Sequence, residues 1–182
     1  METKTAVKTK WNLDPSHSEL GFKVRHMMIT NVPGTFRKFD AKVETYGDDF
    51  TSATIDFTAD ADSITTGNED RDKHLKSADF FDAARFPALK FASTKLEKKD
   101  DENYVLHGDL TITGVTRPVK LDVEFGGTGK DPWGNERAGF TLTGKISRTD
   151  FNLNWNAALE TGGVLVGEDV KIVAEIELIR QA

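Results

Sequence analysis

The sequence predicts an all-β protein whose antiparallel strands either close into a barrel or stack as a sandwich. Its 182 residues match the size of a single domain. Apolar and polar residues alternate with period two in eight segments, as expected of strands with one buried and one solvent-facing side. Short turn sequences join several of these segments, whereas parallel strands would need helical crossovers. Together these observations indicate an antiparallel sheet with one apolar face.

The eight predicted strands share one pattern. Leu, Phe, Val, Ile, Ala, Gly or Tyr occupies nearly every second position, and mostly Lys, Arg, Asp, Glu or Thr lies between. In the first strand, Phe22 and Val24 alternate with Lys23 and Arg25, and His26 falls on the apolar side. The strands run, in order, over 20–26, 39–44, 53–62, 89–91, 104–112, 119–125, 138–146 and 170–178.

Turn residues mark the connections between the later strands. Segments 99–103 and 113–116 are short and polar, which predicts hairpin turns. Segment 126–135 is rich in Gly and predicts a longer loop. A second long connection, 147–168, separates the last two strands and contains Trp155.

Two short helices are predicted between the third and fourth strands. Asn68 is a suitable N-cap for the first helix, and the acidic Glu69 and Asp70 follow in its first turn. Ser77 is a suitable N-cap for a second helix over 78–84, which Pro87 would end.

Several inward-facing positions carry small side chains, and two interpretations remain open. Eight strands can form a barrel whose interior is filled by side chains or holds one ligand. Small residues could alternate with Phe to fit the taper of a packed barrel. They could instead leave an elongated apolar cavity for a long hydrophobic ligand. The small inward residues are Ala53, Ala59, Ala61, Gly108, Ala138, Gly144 and Ala174.

Composition excludes several functional classes. The net charge of −6 argues against nucleic acid or an anionic membrane surface as a partner. The chain has no Cys, which excludes disulfides, thiolate metal sites and Cys nucleophiles. The four His residues lack a recognised metal-ligand spacing, so no metal and no cofactor are expected. No signal-peptide pattern or membrane-spanning run occurs, which predicts a cytoplasmic protein, or a periplasmic one if a signal has been removed.

The candidate polar residues each allow a structural and a functional interpretation. His26 could be a buried His satisfied by a neighbour or a polar anchor for a ligand head group. Arg71 and His74 could lie on a surface helix or at a barrel mouth. Asp14, Ser16 and His17 lie close in sequence, which predicts a capped turn more readily than a hydrolytic triad.

The order of many short motifs resembles the YceI-like family of lipocalin-like, polyisoprenoid-binding proteins, over about residues 11–178. The motifs are Trp11–Asp14, His17-Ser18, Phe22–His26, Gly34–Phe36, Ser63–Gly67, Arg71–Leu75, Asp79–Asp82, Phe86-Pro87, Phe91–Ser93, Gly108–Val119, Ser147–Phe151 and Gly167–Val170. The family often has Gly where this chain has Asn152, and Asn tolerates a left-handed backbone better than most residues.

The resemblance implies an extended eight-stranded antiparallel, lipocalin-like barrel with short helices between strands. It implies residues 11–182 as the lipid-binding domain, residues 1–10 as an N-terminal extension, and a homodimer. In the family the tunnel holds a long isoprenoid or another fatty amphiphile. The polar residues it carries over are His26, Arg71, Asp72, His74 and Arg148.

We therefore expect a binding protein for sequestration, storage or transport of an isoprenoid quinone, an isoprenyl phosphate or a similar lipid. Burial of each methylene contributes roughly 0.8 kcal/mol, so a long tail supplies the affinity. Two alternatives remain: a lipid-modifying enzyme with His26 as base, and a structural or stress-related module with a filled barrel. Head-group contacts are assigned to His26, Arg71 and His74, and mouth closure to Phe80 and Trp155. The predicted tunnel wall is Phe22, Val24, Phe39, Ile55, Phe57, Phe91, Leu106, Leu110, Leu121, Phe140, Leu142 and Ile172.

Overall fold

A computed structural model of the protein describes residues 7–160 and 162–181, which form eleven strands and one α-helix. The strands are β1 Lys8–Leu13, β2 Glu19–His26, β3 Thr30–Phe36, β4 Phe39–Tyr46, β5 Asp49–Asp60, β6 Ile64–Thr65, β7 Ala88–Lys98, β8 Asn103–Ile112, β9 Val115–Lys130, β10 Glu136–Ser147 and β11 Val166–Arg180. The helix α1 spans Glu69–Lys76, and 3₁₀ turns span Pro15–His17, Ala61–Ser63 and Arg148–Phe151. Within the described ranges, α1 is too short and too polar to span a membrane.

Eight strands close into an antiparallel barrel in the order β1-β4-β5-β7-β8-β9-β10-β11, as the family resemblance implied. The end of β11 closes the ring by pairing with β1, with Trp11 opposite Arg180. The first half of β11 pairs instead with β2, with Ile172 opposite Phe22. β1 and β2 are therefore two sections of one barrel wall, separated by the 3₁₀ turn.

Three strands were not predicted from alternation: β1, β3 and β6, and β6 has only two residues, too few to show a pattern. The other two each have a local reason. The inward side of β1 includes Thr9, a polar residue that is nevertheless buried, so the segment lacks a clear apolar face. β3 contains Pro33 and Gly34, which are usual turn signals. Pro33 is tolerated because β3 pairs with β2 on one side, while its other side carries only the two-residue β6 near its end.

Two strands, β7 and β9, are longer than predicted because bulges interrupt their alternation. β7 extends well beyond residue 91, since a register shift between Ser93 and Lys95 moves the inward positions from odd to even numbers. β9 extends through most of the predicted Gly-rich loop, and only Asp131–Asn135 remain as a turn. Where β9 pairs with β10, Gly139 lies opposite Gly127 and Phe140 lies opposite Phe125. Gly126 is therefore the extra residue of a bulge in β9.

The first predicted helix is confirmed, and the second is wrong. The Asn68 side chain caps α1 by accepting a 3.0 Å hydrogen bond from the Arg71 N–H. Residues 78–85 form turns instead of a helix. Their amides return to the end of α1: the Phe81 N–H bonds the Leu75 carbonyl and the Ala83 N–H bonds the Lys76 carbonyl. The chain therefore folds back over the C-terminus of α1.

Candidate ligand cavity

The barrel encloses a cavity of about 400 Å³ with an almost entirely hydrocarbon lining. This volume lies within the range of about 300–1,000 Å³ that is typical of ligand pockets. The lining extends from Trp155 and Arg71 at one end to Phe50 and Leu96 near the other. Arg71 is exposed, so the cavity reaches solvent at its end. We call this end the mouth; it is formed by α1, the β2–β3 turn and the described residues of the segment 148–165.

The structure brings sixteen of the seventeen predicted site residues to this cavity. Phe39 is the exception: it pairs with Ala59, and its ring packs on Phe57 with centroids 6.1 Å apart instead of reaching the lumen. The residues at the cavity are Phe22, Val24, His26, Ile55, Phe57, Arg71, His74, Phe80, Phe91, Leu106, Leu110, Leu121, Phe140, Leu142, Trp155 and Ile172. Their contact with a ligand remains a prediction.

The small inward residues divide between the two interpretations. Ala53, Ala59 and Ala174 line the cavity and leave it open. Gly108 and Gly144 are covered by neighbours: a Cβ at Gly108 would overlap the Phe91 ring, and a Cβ at Gly144 would overlap the Leu121 side chain. These two glycines therefore serve close packing of the wall.

An aromatic cluster closes the end opposite the mouth. The Phe50 ring contacts Trp11, Phe125 and Phe140, with centroids 5.1–5.4 Å apart. The Trp11 side chain is 1% exposed, and its indole N–H donates a 3.2 Å hydrogen bond to the Thr45 hydroxyl. Trp11 and Phe50 were not predicted as wall residues, because alternation indicated no strand over 8–13 or 49–52.

Aromatic rings and a His form one side of the mouth. The His74 ring meets Trp155 edge to face at 4.5 Å and Phe80 at 5.1 Å. Its Nε2 lies 2.9 Å from an oxygen of Asp79. α1 and the 148–165 segment are thereby joined across the opening.

Arg71 faces the mouth from a fixed position. Its Nε donates to the Thr66 hydroxyl at 2.7 Å, and its Nη2 donates to the Thr66 carbonyl at 2.9 Å. Asp72 supports the same segment by accepting from the Thr66 N–H and hydroxyl. Burial raises the pKa of Asp72, but the hydrogen bonds from Thr66 outweigh it and the pKa lies below its usual value. Across the described residues, no carboxylate oxygen lies within 4.0 Å of Arg71.

Arg148 is a buried cation in the cavity wall. Its guanidinium donates to the carbonyls of Gly167 at 2.8 Å, Trp155 at 2.9 Å and Val166 at 3.2 Å, and to that of Leu153. Burial lowers its pKa, and nearby Glu168 partly opposes this. The guanidinium thus ties both ends of the 148–165 segment together. Only the motif resemblance indicated this residue.

His26 is half-buried where β2 reaches the mouth, and it lines the cavity. Its backbone neighbours are Thr30 across the hairpin and Val166 on β11. The structure therefore places His26 and Arg71 at the same end of the barrel, as expected for head-group contacts.

The Asp14–His17 segment is a capped turn, as the sequence predicted. The Asp14 carboxylate accepts from the Ser16 N–H at 3.0 Å, and the Ser16 hydroxyl and the Asp14 carboxylate both approach the same nitrogen of His17. A hydrolytic triad uses opposite nitrogens of its His, so this geometry is not a triad. Arg137 donates to Asp14 at 2.6 Å and to Glu177 at 3.2 Å, so a guanidinium already binds both carboxylates of the only group of described residues suited to a metal.

Comparisons with known proteins agree with this architecture. The YceI-like domain model matches residues 11–178. A UPF0312 protein of Staphylococcus epidermidis is 43% identical over 93% of this chain and 96% of its own. The crystal structure of the YCEI protein of Campylobacter jejuni has a TM-score of 0.75 at 35% identity, over 93% of this chain and 97% of that one.

A third similarity is more distant. A polyisoprenoid-binding domain from Saccharophagus degradans has a TM-score of 0.68 at 15% identity, over 94% of this chain and 98% of that one, which supports the shared fold. The domain match covers most of the chain, and the relatives match along nearly their whole length. This chain is therefore a member of the YceI-like family.

Proposed function

We propose that the protein binds the hydrocarbon tail of a long isoprenoid or similar amphiphile inside the barrel, with the polar head at the mouth. The observation that carries the proposal is the apolar cavity of about 400 Å³, which is open at one end and closed by aromatic rings at the other. Such a space suits a chain that enters from one side. The polyisoprenoid-binding domain of Saccharophagus degradans has the same fold, which supports this ligand class.

Burial of the tail supplies the affinity in this proposal. Each methylene transferred from water contributes roughly 0.8 kcal/mol, so a tail of ten carbons contributes about 8 kcal/mol before ordering costs. The lining offers almost no polar partners along its length, so it selects for length and shape rather than for functional groups.

The head group is expected to carry oxygen acceptors, such as a quinone carbonyl or a phosphate. Arg71 and His26 both reach the mouth, and Arg71 holds its guanidinium there through Thr66. Binding for sequestration, storage or transport requires only this arrangement. The cavity volume disfavours the alternative of a filled structural barrel.

The test uses a variant that blocks the cavity and a matched control on the same strand. Ala53 lines the cavity, whereas its neighbour Thr54 is exposed on the outer side of β5. We expect Ala53→Phe to lower the affinity for a fluorescent isoprenoid probe by at least about tenfold, because the ring occupies space that the tail needs. Thr54→Phe should bind the probe as the wild type does.

Solvent extraction and mass spectrometry of protein from native host cells complete the test. A stoichiometric lipid with an isoprenoid tail is the expected result. Absence of any lipid, together with no uptake of added quinone, would contradict the proposal. Loss of a lipid-directed turnover in His26→Ala with retained probe binding would instead favour the enzyme alternative.

A further inference from the structure

The turn between β2 and β3 exposes three consecutive large apolar side chains. Met27 is 43% exposed, Met28 is 56% exposed and Ile29 is 73% exposed. The two-residue hairpin turns elsewhere in the barrel hold Gly47-Asp48 and Thr113-Gly114, which are small or polar. Exposed contiguous apolar residues mark interaction sites on proteins.

The backbone of this turn favours other residue types. The Ile29 N–H bonds the His26 carbonyl at 3.1 Å, and the two central residues Met27 and Met28 have φ of 50° and 62°. Turns with positive φ at both central positions favour Asn and Gly. Met27 and Met28 therefore occupy positions where the backbone conformation favours Asn or Gly. This indicates that their side chains have a role other than forming the turn.

The turn lies beside the mouth of the cavity. The Met27 N–H donates a 2.8 Å hydrogen bond to the carbonyl of Leu165, and both Leu165 and His26 line the cavity. The Met28 sulfur packs against Gly163. Val164, between these two contacts, is 41% exposed. Met27, Met28, Ile29 and Val164 thus form one apolar surface, which we call the mouth patch.

We propose that the mouth patch docks the protein on a lipid bilayer, so that a tail passes between bilayer and cavity without crossing water. This inference rests on the proposed lipid-binding function. An amphiphile with a long tail resides in bilayers, and a mouth bordered by apolar side chains can enter the interfacial region to a depth of about 5–10 Å. The exposed Arg25, which precedes this turn and lines the cavity, can extend its guanidinium to the head groups.

A bilayer fits the mouth patch better than a second protein copy does. The four side chains of the mouth patch offer much less surface than the roughly 800 Å² that each partner buries in a stable complex. Interfacial anchoring needs only a few apolar residues. The net charge of −6 gives no general attraction to anionic lipid, so docking should be strongest on zwitterionic lipid and insensitive to salt.

The test replaces the turn with the residues its backbone favours. The variant Met27→Asn, Met28→Gly, Ile29→Thr retains the hairpin and removes the apolar side chains. Wild type and variant are floated with empty phosphatidylcholine vesicles, and transfer of a fluorescent isoprenoid from vesicles is timed. The variant should float about tenfold less and take up the probe about tenfold more slowly. Its melting temperature should not fall, and its equilibrium affinity for a short soluble isoprenoid should stay unchanged.

Trp133→Ser is the matched control. Trp133 is 81% exposed in the β9–β10 turn, at the opposite end of the barrel. It should leave flotation and transfer unchanged. Equal flotation and transfer in wild type and turn variant would overturn the docking proposal, as would loss in Trp133→Ser or a change in oligomeric mass in place of flotation. Flotation of the wild type without uptake of any isoprenoid would support docking while refuting the proposed ligand.

Discussion

Replacement of Arg148 by Met tests whether one buried guanidinium organises the mouth of the barrel. Arg148 is 4% exposed and bonds four backbone carbonyls, which belong to the segment 153–155 and to the start of β11. Met fills similar space without any donor. The Arg148→Met variant would therefore leave these carbonyls to find water or remain unpaired.

The magnitude follows from the burial of the four bonds. Only the bond to the Leu153 carbonyl is fully buried, and loss of its donor costs about 1–3 kcal/mol. The other three bonds are part-buried, so water can replace much of their energy. Removal of a desolvated charge offsets some of the loss. The net destabilisation expected is about 2 kcal/mol, which corresponds to roughly 4–8 °C in Tm for a 182-residue domain.

Thermal unfolding followed by circular dichroism measures this change. Arg148→Lys should lie between wild type and Arg148→Met, because an ammonium keeps the charge but lacks the planar fork of donors. If both variants melt within about 2 °C of wild type, the reasoning is refuted.

Two further predictions concern the backbone and the acid stability. Asn152 has φ 65°, so Asn152→Ala should lower the free energy of unfolding by about 1 kcal/mol while Asn152→Gly leaves it unchanged or higher, as urea denaturation would reveal. Hydrogen bonds from Ser16, His17 and Arg137 hold the pKa of Asp14 well below its usual value. Because the folded pKa is depressed, Asp14 stabilises the fold above about pH 4, and this contribution is lost as the pH falls further. Asp14→Asn should thus destabilise by about 1–2 kcal/mol at pH 7 and progressively less toward pH 2 in urea titrations; a pH-independent difference would contradict this assignment.

Local patterns in the chain were sufficient for much of the barrel. Alternation identified seven strands of the ring and the inward side of each, so nearly all predicted wall residues lie at the cavity. Asn68 located the start of α1, because an N-cap acts within its own turn. The left-handed conformation at Asn152 likewise follows from a local backbone preference.

Features that depend on contacts between residues far apart in sequence could not be predicted from local patterns. Burial of Thr9 follows from closure of β1 against β4 and β11, and Pro33 is compatible with β3 because that strand lies near the sheet edge. The prediction of a second helix was wrong because backbone amides after Ser77 donate hydrogen bonds to carbonyls at the end of α1. Helix propensity does not account for this competition.

The cavity likewise depends on both local sequence patterns and contacts between residues far apart in the chain. Residue volumes left open whether small inward residues fill a taper or leave space, because the answer depends on which side chain the neighbouring strand places opposite each one. Register sets the Phe91 ring over Gly108, while Ala53 remains open to the lumen. The sequence shows Arg148 only as a charged residue. It is buried in the structure because backbone carbonyls of the following segment surround its guanidinium and accept its hydrogen bonds. Side-chain periodicity thus specified the strands and their inner faces, whereas strand register and chain reversal, which join residues far apart in sequence, created the enclosed space and its mouth.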